Sequence, residues 1–338
     1  MKIHFPGQLW STVSPEDAGF RTEKLHKAQW WLENQDTNYR LVIVRKGSVV
    51  AEWNRGISRE QQLELASATK SVYSCALALA IEEGNIASAD SQVDEYYPEM
   101  MDVPAHAGPK PGRYVFGKDR AITFRQLISN TSGYMKPDEM PGQVFHYQTY
   151  GMNILSHAIA RSYGLWDVNN PEGSPGLSPL LDRWLRDPLN ASWGYYTYNF
   201  ALQPNARLGV FGYFDGIQAT ALDMARLGWL WRHYGRWGEQ QLVPEAWLRE
   251  ATSAVEVPQY VVDARFHDAY GLGFWSNDHG AIWPDLPRDA FAASGAGCQH
   301  IWVCPSLDLV VVQSPGIYAN QSELGETLLR FVVEALQE

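Results

Sequence analysis

The stretch that decides the fold reads Ser67-Ala68-Thr69-Lys70 and runs on into SVYSCALALAI at 71–81. A serine and a lysine three residues apart lie on one face of a helix. The helix that follows is apolar on nearly every side, so we expect it to be buried. Burying a lysine is costly unless the amine has a partner or a task. A desolvated, neutral amine can take a proton from a hydroxyl, so the pattern predicts an activated serine.

The position of Ser67 at the start of a helix favours the same chemistry. Free backbone N–H groups and the positive end of the helix dipole lie there, and both stabilise an oxyanion. Alone, however, the four residues also fit an N-cap serine followed by a surface lysine. The choice between these interpretations depends on the rest of the chain.

The composition is that of a globular protein with more than one core. The chain has 338 residues, of which 45% are hydrophobic and 19% charged, and its net charge is −11. This length predicts two subdomains or one large composite domain. The negative charge argues against a nucleic-acid partner, and no apolar run reaches the roughly 20 residues of a membrane span.

The compartment is predicted from the N-terminus and the cysteines. The first ten residues show no signal-peptide pattern, which predicts a cytoplasmic protein, or a periplasmic or secreted one if a leader has been trimmed. Three widely spaced cysteines fit a reducing compartment: Cys75, Cys298 and Cys304. Cys75 lies within the apolar helix and is expected to pack as a small hydrophobe.

Strand patterns occur at both ends of the chain, with helices between them. A hairpin is predicted at 41–53 and further strands at 270–275, 300–304 and 307–313. Helices are predicted at 15–34, 67–83, 122–129, 152–162, 219–234 and 322–336. This order predicts an α+β fold whose antiparallel sheet is assembled from both termini. We expect one subdomain from 1–84 with 206–338, a mostly helical one from 85–205, and an active site at their interface.

Two further segments carry candidate chemistry. Tyr147 follows a Gly/Pro loop and precedes a helix, where a phenol could relay a proton beside Lys70. His146 is its rival, because histidine titrates near neutrality. Gly295 and Ala296 precede the strand at 300–304, and such an entrance lets a backbone N–H approach an oxyanion.

Other catalytic patterns are missing from the sequence. It contains no Gly-x-Ser-x-Gly elbow, no His-Glu-x-x-His or paired Cys/His spacing, and no glycine-rich nucleotide loop. We therefore predict neither a metal nor a cofactor.

Together these segments resemble the serine β-lactamase and penicillin-binding-protein superfamily, in its class C and esterase-like branch. The resemblance covers nearly the whole chain, in the order SPEDAG (14–19), SATKS (67–71), EEGNI (82–86), YYPE (96–99), ITFRQLISNTSG (122–133), DPL (187–189) and ATALDMAR (219–226). It implies a β-lactamase/transpeptidase-like fold. It also implies that Ser67 is acylated, that Lys70 accepts its proton, and that Tyr147 is the tyrosine of a Tyr-x-Asn motif. The oxyanion hole implied is the backbone N–H of Ser67 with that of Ala296.

Two departures from the family pattern bear on the substrate. Thr149 stands where the motif has asparagine, and its hydroxyl is shorter and lacks an amide's donors. Ser294-Gly295-Ala296 replaces a Lys-Thr-Gly or histidine variant, so the cation that would hold a substrate carboxylate is missing. The run GAGCQHIWV at 295–303 is most similar to 6-aminohexanoate-oligomer hydrolases and esterases.

The sequence therefore predicts a hydrolase of small esters or amides that forms an acyl-enzyme on Ser67. A β-lactamase or D-Ala-D-Ala carboxypeptidase, and a catalytically silent peptide-binding or scaffold member of the fold, remain as alternatives. The physiological substrate, the preference for ester or amide, and the oligomeric state are undetermined. The candidate substrate contacts are Thr149, His146, Ser294, Gly295 and Trp275, with Tyr213 and Phe214 as further pocket candidates.

Overall fold

A six-stranded antiparallel sheet forms the centre of the molecule. In the computed structural model, which describes residues 4–316 and 324–337, the strands are β1 (Tyr39–Arg45), β2 (Ser48–Arg55), β3 (Leu63–Glu64), β4 (Val144–Phe145), β5 (Gly194–Asn199), β6 (Tyr213–Ala219), β7 (Arg236–Trp237), β8 (Gln240–Gln241), β9 (Gln259–Tyr260), β10 (Trp275–Ser276), β11 (Phe291–Gly295), β12 (Gln299–Cys304) and β13 (Leu309–Gln313). The central sheet has the order β10-β11-β12-β13-β1-β2. Its strands come from both ends of the chain, which confirms the predicted α+β arrangement.

Helices cover both faces of this sheet. They are α1 (Thr22–Glu33), α2 (Thr69–Glu82), α3 (Phe124–Ile128), α4 (Tyr150–Ser162), α5 (Ser178–Leu181), α6 (Leu208–Phe211), α7 (Ala221–Arg232), α8 (Glu245–Ala251) and α9 (Glu326–Glu334). Side chains alternate along β1: Val42 and Val44 join the core that contains α2 and α7, whereas Leu41 and Ile43 join the core that contains α1 and α9.

Helix α2 is buried along almost its whole length, as its apolar sequence predicts. Every side chain from residue 69 to residue 80 is buried, including Lys70 and Cys75. Gly84 follows the helix with φ +75°, a left-handed conformation that glycine adopts without strain. The nucleophile candidate is therefore attached to a helix that tertiary packing holds in place.

A second, smaller sheet lies beside the start of α2. It has the order β3-β6-β5, and Leu65 next to β3 donates its N–H to the carbonyl of Ile217 at 2.8 Å. Its pairing of β5 with β6 crosses the predicted subdomain boundary between 205 and 206. The division into two subdomains stays a prediction.

Several predicted elements are shorter than their patterns suggest. Helix α1 begins only at Thr22, because residues before it form turns and Gly19 has φ +82°. Helix α7 begins at Ala221, because β6 occupies 213–219. Helix α9 begins at Glu326, and the predicted start at Ser322 lies outside the described residues.

The prediction of a strand at 270–275 is wrong for most of its length. Gly271 donates its N–H to the carbonyl of Phe274 at 2.8 Å, and Gly273 has φ +90°, so 270–274 turn tightly. Only Trp275 and Ser276 pair with β11. The hairpin and the strands at 300–304 and near 307–313 are confirmed by β1, β2, β12 and β13. None of the helices in the described part of the chain is long and apolar enough to cross a membrane.

Candidate active site

Ser67 lies in a single 3₁₀ turn, Ala66–Ala68, that leads directly into α2. The residue before it, Ala66, has φ +47°, a left-handed conformation that costs a non-glycine residue energy. Strands β6, β11 and β12 pack against this turn. Ser67 is half-buried, so its hydroxyl is held in place and is still reachable from the cleft.

Lys70 sits one helical turn below Ser67 and is almost fully buried, with 1% of its surface exposed. Its Nζ lies 2.7 Å from Ser67 Oγ, 3.0 Å from Tyr147 Oη and 3.5 Å from Thr149 Oγ1. Among the ion pairs of residues 4–316 and 324–337, none involves Lys70. The hydrogen-bond partners of the amine are therefore hydroxyl groups, and no carboxylate of the described residues pairs with it.

Tyr147 reaches the amine from a different part of the chain and is fixed by aromatic neighbours. Its ring lies beneath the Lys70 ammonium group, with Nζ 4.4 Å from the ring centroid. Trp275 stacks on the ring at 5.6 Å, and Tyr270 meets it edge-on at 5.6 Å. Burial raises the pKa of Tyr270 well above its ordinary range, and its electrostatic interaction with Tyr147 acts in the same direction, so the Tyr270 hydroxyl is neutral.

Thr149 occupies the third position around the amine, at the outer limit of a hydrogen bond. It directly precedes α4 and does not cap that helix with its side chain. An asparagine here would reach farther, so the substitution noted in the sequence leaves Lys70 a weaker third contact. The predicted convergence of a hydroxyl, an amine and a phenol is nevertheless present.

The end of strand β11 packs directly against the nucleophile turn. A Cβ added to Gly295 would lie 2.0 Å from the carbonyl oxygen of Leu65 and 3.0 Å from the backbone N of Ser67. Only glycine permits this approach. Ala296, the next residue, is exposed and lines the same cavities as Ser67. This juxtaposition is what an oxyanion hole made from Ser67 and Ala296 requires.

Gly295→Ala is expected to lower both activity and stability. The atoms that the new methyl group would meet belong to the backbone, so β11 must move away from the nucleophile turn. A displacement of about 1 Å costs on the order of 100-fold in rate. We therefore expect kcat/KM to fall about 100-fold and the melting temperature to drop. Gly117→Ala is the matched control, because a Cβ there meets nothing within 4 Å. Wild-type activity in Gly295→Ala would contradict this packing argument.

Ser67 stands between two cavities. The first, of about 240 Å³, is named here the β5–β6 cavity and is lined by Glu64, Thr149, Tyr196, Tyr198, Phe200 and Phe214, as well as by the nucleophile turn and Ala296. The second, of about 400 Å³, is named the Trp275 cavity and is lined by Tyr147, Val262, Asp263, Phe266, Trp275 and Leu324, with Ser67 and 294–296. Among residues 4–316 and 324–337, no arginine, lysine or histidine lines either cavity.

The remaining predicted contacts are divided between these cavities and the protein interior. Ser294, Gly295 and Trp275 line the Trp275 cavity, and Thr149 lines the β5–β6 cavity. His146 lines neither of them. Its Nδ1 lies 2.6 Å from Glu139 Oε1, and Glu139 also accepts from Lys136 Nζ at 3.0 Å. Through this contact with Glu139, His146 stabilises the loop that carries Tyr147, and it makes no hydrogen bond to Lys70.

Sequence reasoning missed most of the aromatic lining. Phe214 lines the β5–β6 cavity, but Tyr213 points to the opposite face of β6 and lines a different cavity. Tyr196, Tyr198 and Phe200 were not identified. The signal that could have found the tyrosines is the run GYYTYN at 194–199, whose β-forming residues form β5.

The described residues offer no arrangement for a metal. Among residues 4–316 and 324–337, no group of three or more His, Cys, Asp or Glu side chains could hold a metal ion. The groups gathered at the candidate site are the Ser67 hydroxyl, the Lys70 amine and the Tyr147 phenol.

Comparisons with known proteins indicate the family of this chain. The family model described as Beta-lactamase matches residues 38–323. A Salmonella agona (strain SL483) protein described as "Putative D-alanyl-D-alanine carboxypeptidase" is 24% identical over 163 residues, which are 42% of this chain and 35% of that relative. The match thus spans about a third of the relative's length.

Solved structures show the same fold at low sequence identity. A penicillin-binding protein homologue from Caulobacter crescentus is 16% identical, with a TM-score of 0.67 over 94% of this chain and 98% of the other. A family VIII carboxylesterase is 14% identical, with a TM-score of 0.64 over 93% and 97% of the two chains. The family match over 38–323 confirms the resemblance noted in the sequence, and the chain belongs to the beta-lactamase family of serine hydrolases.

Proposed function

We propose that this chain cleaves an ester or amide bond of a small molecule through an acyl-enzyme on Ser67. The observation that carries the proposal is the position of Lys70 Nζ, 2.7 Å from Ser67 Oγ and 3.0 Å from Tyr147 Oη. A nucleophile, its proton acceptor and a proton relay within hydrogen-bond distance are what acyl transfer requires. Retention of all three groups argues against a catalytically silent scaffold.

The first half of the reaction forms the acyl-enzyme. Ser67 Oγ attacks the carbonyl carbon while its proton passes to Lys70. The backbone N–H groups of Ser67 and Ala296 stabilise the oxyanion of the tetrahedral intermediate. As the bond to the leaving group breaks, a proton passes to the leaving alcohol or amine through Tyr147.

The second half releases the acid. A water molecule attacks the acyl-enzyme carbonyl and gives a proton to the Tyr147–Lys70 pair. The bond to Ser67 Oγ then breaks, and Ser67 regains its proton. Because Lys70 and Tyr147 can both accept and donate the proton, the same site serves acylation and deacylation.

Charge around the site favours substrates without a carboxylate next to the scissile bond. Of the described residues that line the two cavities, the charged ones are Glu64 and Asp263, both acidic. Desolvating a carboxylate without a cation costs several kcal/mol. This supports an esterase or amidase more than a β-lactamase or D-Ala-D-Ala carboxypeptidase, whose substrates carry that carboxylate.

The proposal is tested by a substrate panel at one pH: 4-nitrophenyl acetate, 4-nitroacetanilide and the β-lactam nitrocefin. We expect kcat/KM on the ester to exceed that on nitrocefin by about 100-fold, since the missing carboxylate partner is worth several kcal/mol. The anilide decides between esterase and amidase. A nitrocefin rate that rivals the ester rate would favour the β-lactamase alternative. No turnover of any substrate, together with no covalent labelling by a fluorophosphonate, would favour the silent scaffold.

A further inference from the structure

Within the part of the chain that the structure describes, the two cavities beside Ser67 have two lining residues in common, Ser67 and Ala296, which are proposed to hold the reacting carbonyl. When a carbonyl carbon is bound at Ser67, its acyl substituent must lie in one cavity and its leaving group in the other. The contents of each cavity therefore indicate which part of the substrate it receives.

The position of Tyr147 decides the assignment. Tyr147 lines the Trp275 cavity and does not line the β5–β6 cavity. In the proposed mechanism the leaving group takes a proton from Tyr147, so it must lie within reach of that hydroxyl. The acyl group then occupies the β5–β6 cavity, on the far side of the carbonyl carbon.

The walls of the β5–β6 cavity are aromatic. Phe200 lies between Tyr198 and Phe214, with ring centroids 4.5 Å and 5.9 Å away in edge-to-face geometry. Tyr196 is tilted against Phe214 at 6.3 Å. Such an arrangement accepts a further ring edge-to-face or offset-stacked, which adds about 0.5–1.5 kcal/mol beyond area burial.

The backbone makes room for this lining. Tyr198 pairs with Phe214 and Tyr196 with Gly216 across the strands β5 and β6. A Cβ at Gly216 would lie 2.2 Å from the ring of Tyr196, so the glycine lets that ring lie flat over β6. The charged residue at the mouth is Glu64, which disfavours a second negative charge on the substrate's acid part.

We propose that the acid part of the substrate is uncharged and bears an aromatic ring, which binds among Tyr198, Phe200 and Phe214. This inference rests on the proposed acyl-enzyme function of Ser67. It makes Phe200 a specificity-determining residue for the acyl group, and it makes Phe266, in the Trp275 cavity, its counterpart for the leaving group.

The isomers methyl phenylacetate and benzyl acetate test the assignment. They contain the same atoms and release alcohols of similar acidity, but the ring lies in the acyl group of the first and in the leaving group of the second. Methyl acetate, which has no ring, is the reference. For the wild type we expect kcat/KM on methyl phenylacetate to exceed that on methyl acetate by at least about tenfold, from burial of the ring.

Two matched substitutions should show opposite effects. Phe200→Ala is expected to lower kcat/KM about tenfold on methyl phenylacetate and less than about twofold on benzyl acetate. Phe266→Ala is expected to lower it on benzyl acetate and to spare methyl phenylacetate. If Phe200→Ala does not fold, Tyr198→Ala replaces it, because the Tyr198 side chain is 54% exposed and its loss disturbs little packing.

The outcomes separate this inference from the proposed function. Equal effects of Phe200→Ala on both isomers, or a reversed pattern, would overturn the acyl assignment while hydrolysis through Ser67 stands. A wild-type kcat/KM that is higher on methyl acetate than on methyl phenylacetate would overturn the claim that the acid part bears an aromatic ring. If the wild type hydrolyses none of the three esters and takes up no fluorophosphonate, the proposed function fails, and the acyl assignment fails with it.

Discussion

Replacing Ser67 with alanine is expected to abolish covalent labelling and to reduce ester hydrolysis about 10⁴-fold or more, because the variant lacks the hydroxyl that carries the acyl group in the proposed mechanism. In the proposed mechanism this hydroxyl, whose Oγ lies 2.7 Å from Lys70 Nζ, is the one that loses its proton to the amine. Intact mass after fluorophosphonate treatment gives the labelling. Initial rates on 4-nitrophenyl acetate give the hydrolysis.

Ser71→Ala provides the matched control for this prediction. It makes the same substitution in the same helix, and the hydroxyl it removes donates to the carbonyl of Gly273 at 2.6 Å. Loss of that bond is expected to cost about 1 kcal/mol of stability and to leave labelling intact. A Ser67→Ala protein that still gains the adduct would move the nucleophile elsewhere and would contradict the mechanism.

Replacing Lys70 with methionine is expected to lower activity strongly while changing the stability of the fold little. Methionine fills a similar volume without an amine, so Ser67 and Tyr147 lose their common proton partner. General-base catalysis contributes about 10²–10⁴-fold, so acylation should slow by about 10³-fold. The free energy of unfolding should change little. The wild type buries an amine that has no carboxylate partner, which is costly, and the variant avoids that cost.

Two measurements on Lys70→Met decide this prediction. Stopped-flow release of 4-nitrophenol reports the acylation rate, and urea unfolding reports the free energy of unfolding. A variant that is strongly destabilised while its acylation rate stays near wild type would show that Lys70 has a structural role only. Slow acylation in a protein of unchanged stability would support its role as proton acceptor.

Local sequence patterns predicted the helices and strands whose own residues strongly favour that secondary structure. The apolar run after Lys70 predicted α2, and the β-branched runs predicted β1, β12 and β13. They failed where glycine changes the backbone direction: Gly19 delays α1, and Gly271 and Gly273 turn the chain at 270–274. Strands β5 and β6 were also missed, since aromatic and small residues there pack against a neighbouring strand more than they follow a local period.

For the candidate site, the spacing of Ser67 and Lys70 predicted that their side chains lie on one face of a helix, because residues three apart are neighbours there. The spacing alone did not distinguish an activated serine from an N-cap serine with a surface lysine. The order of motifs along the chain indicated the family. Only the tertiary structure brings Tyr147 to the amine of Lys70, from which it is separated by 77 positions in the sequence. It also places β11 against the nucleophile turn and aromatic rings along one side of the cleft. Those contacts join segments far apart in the sequence, and their geometry follows from how sheets and helices pack, which no local pattern of residues encodes.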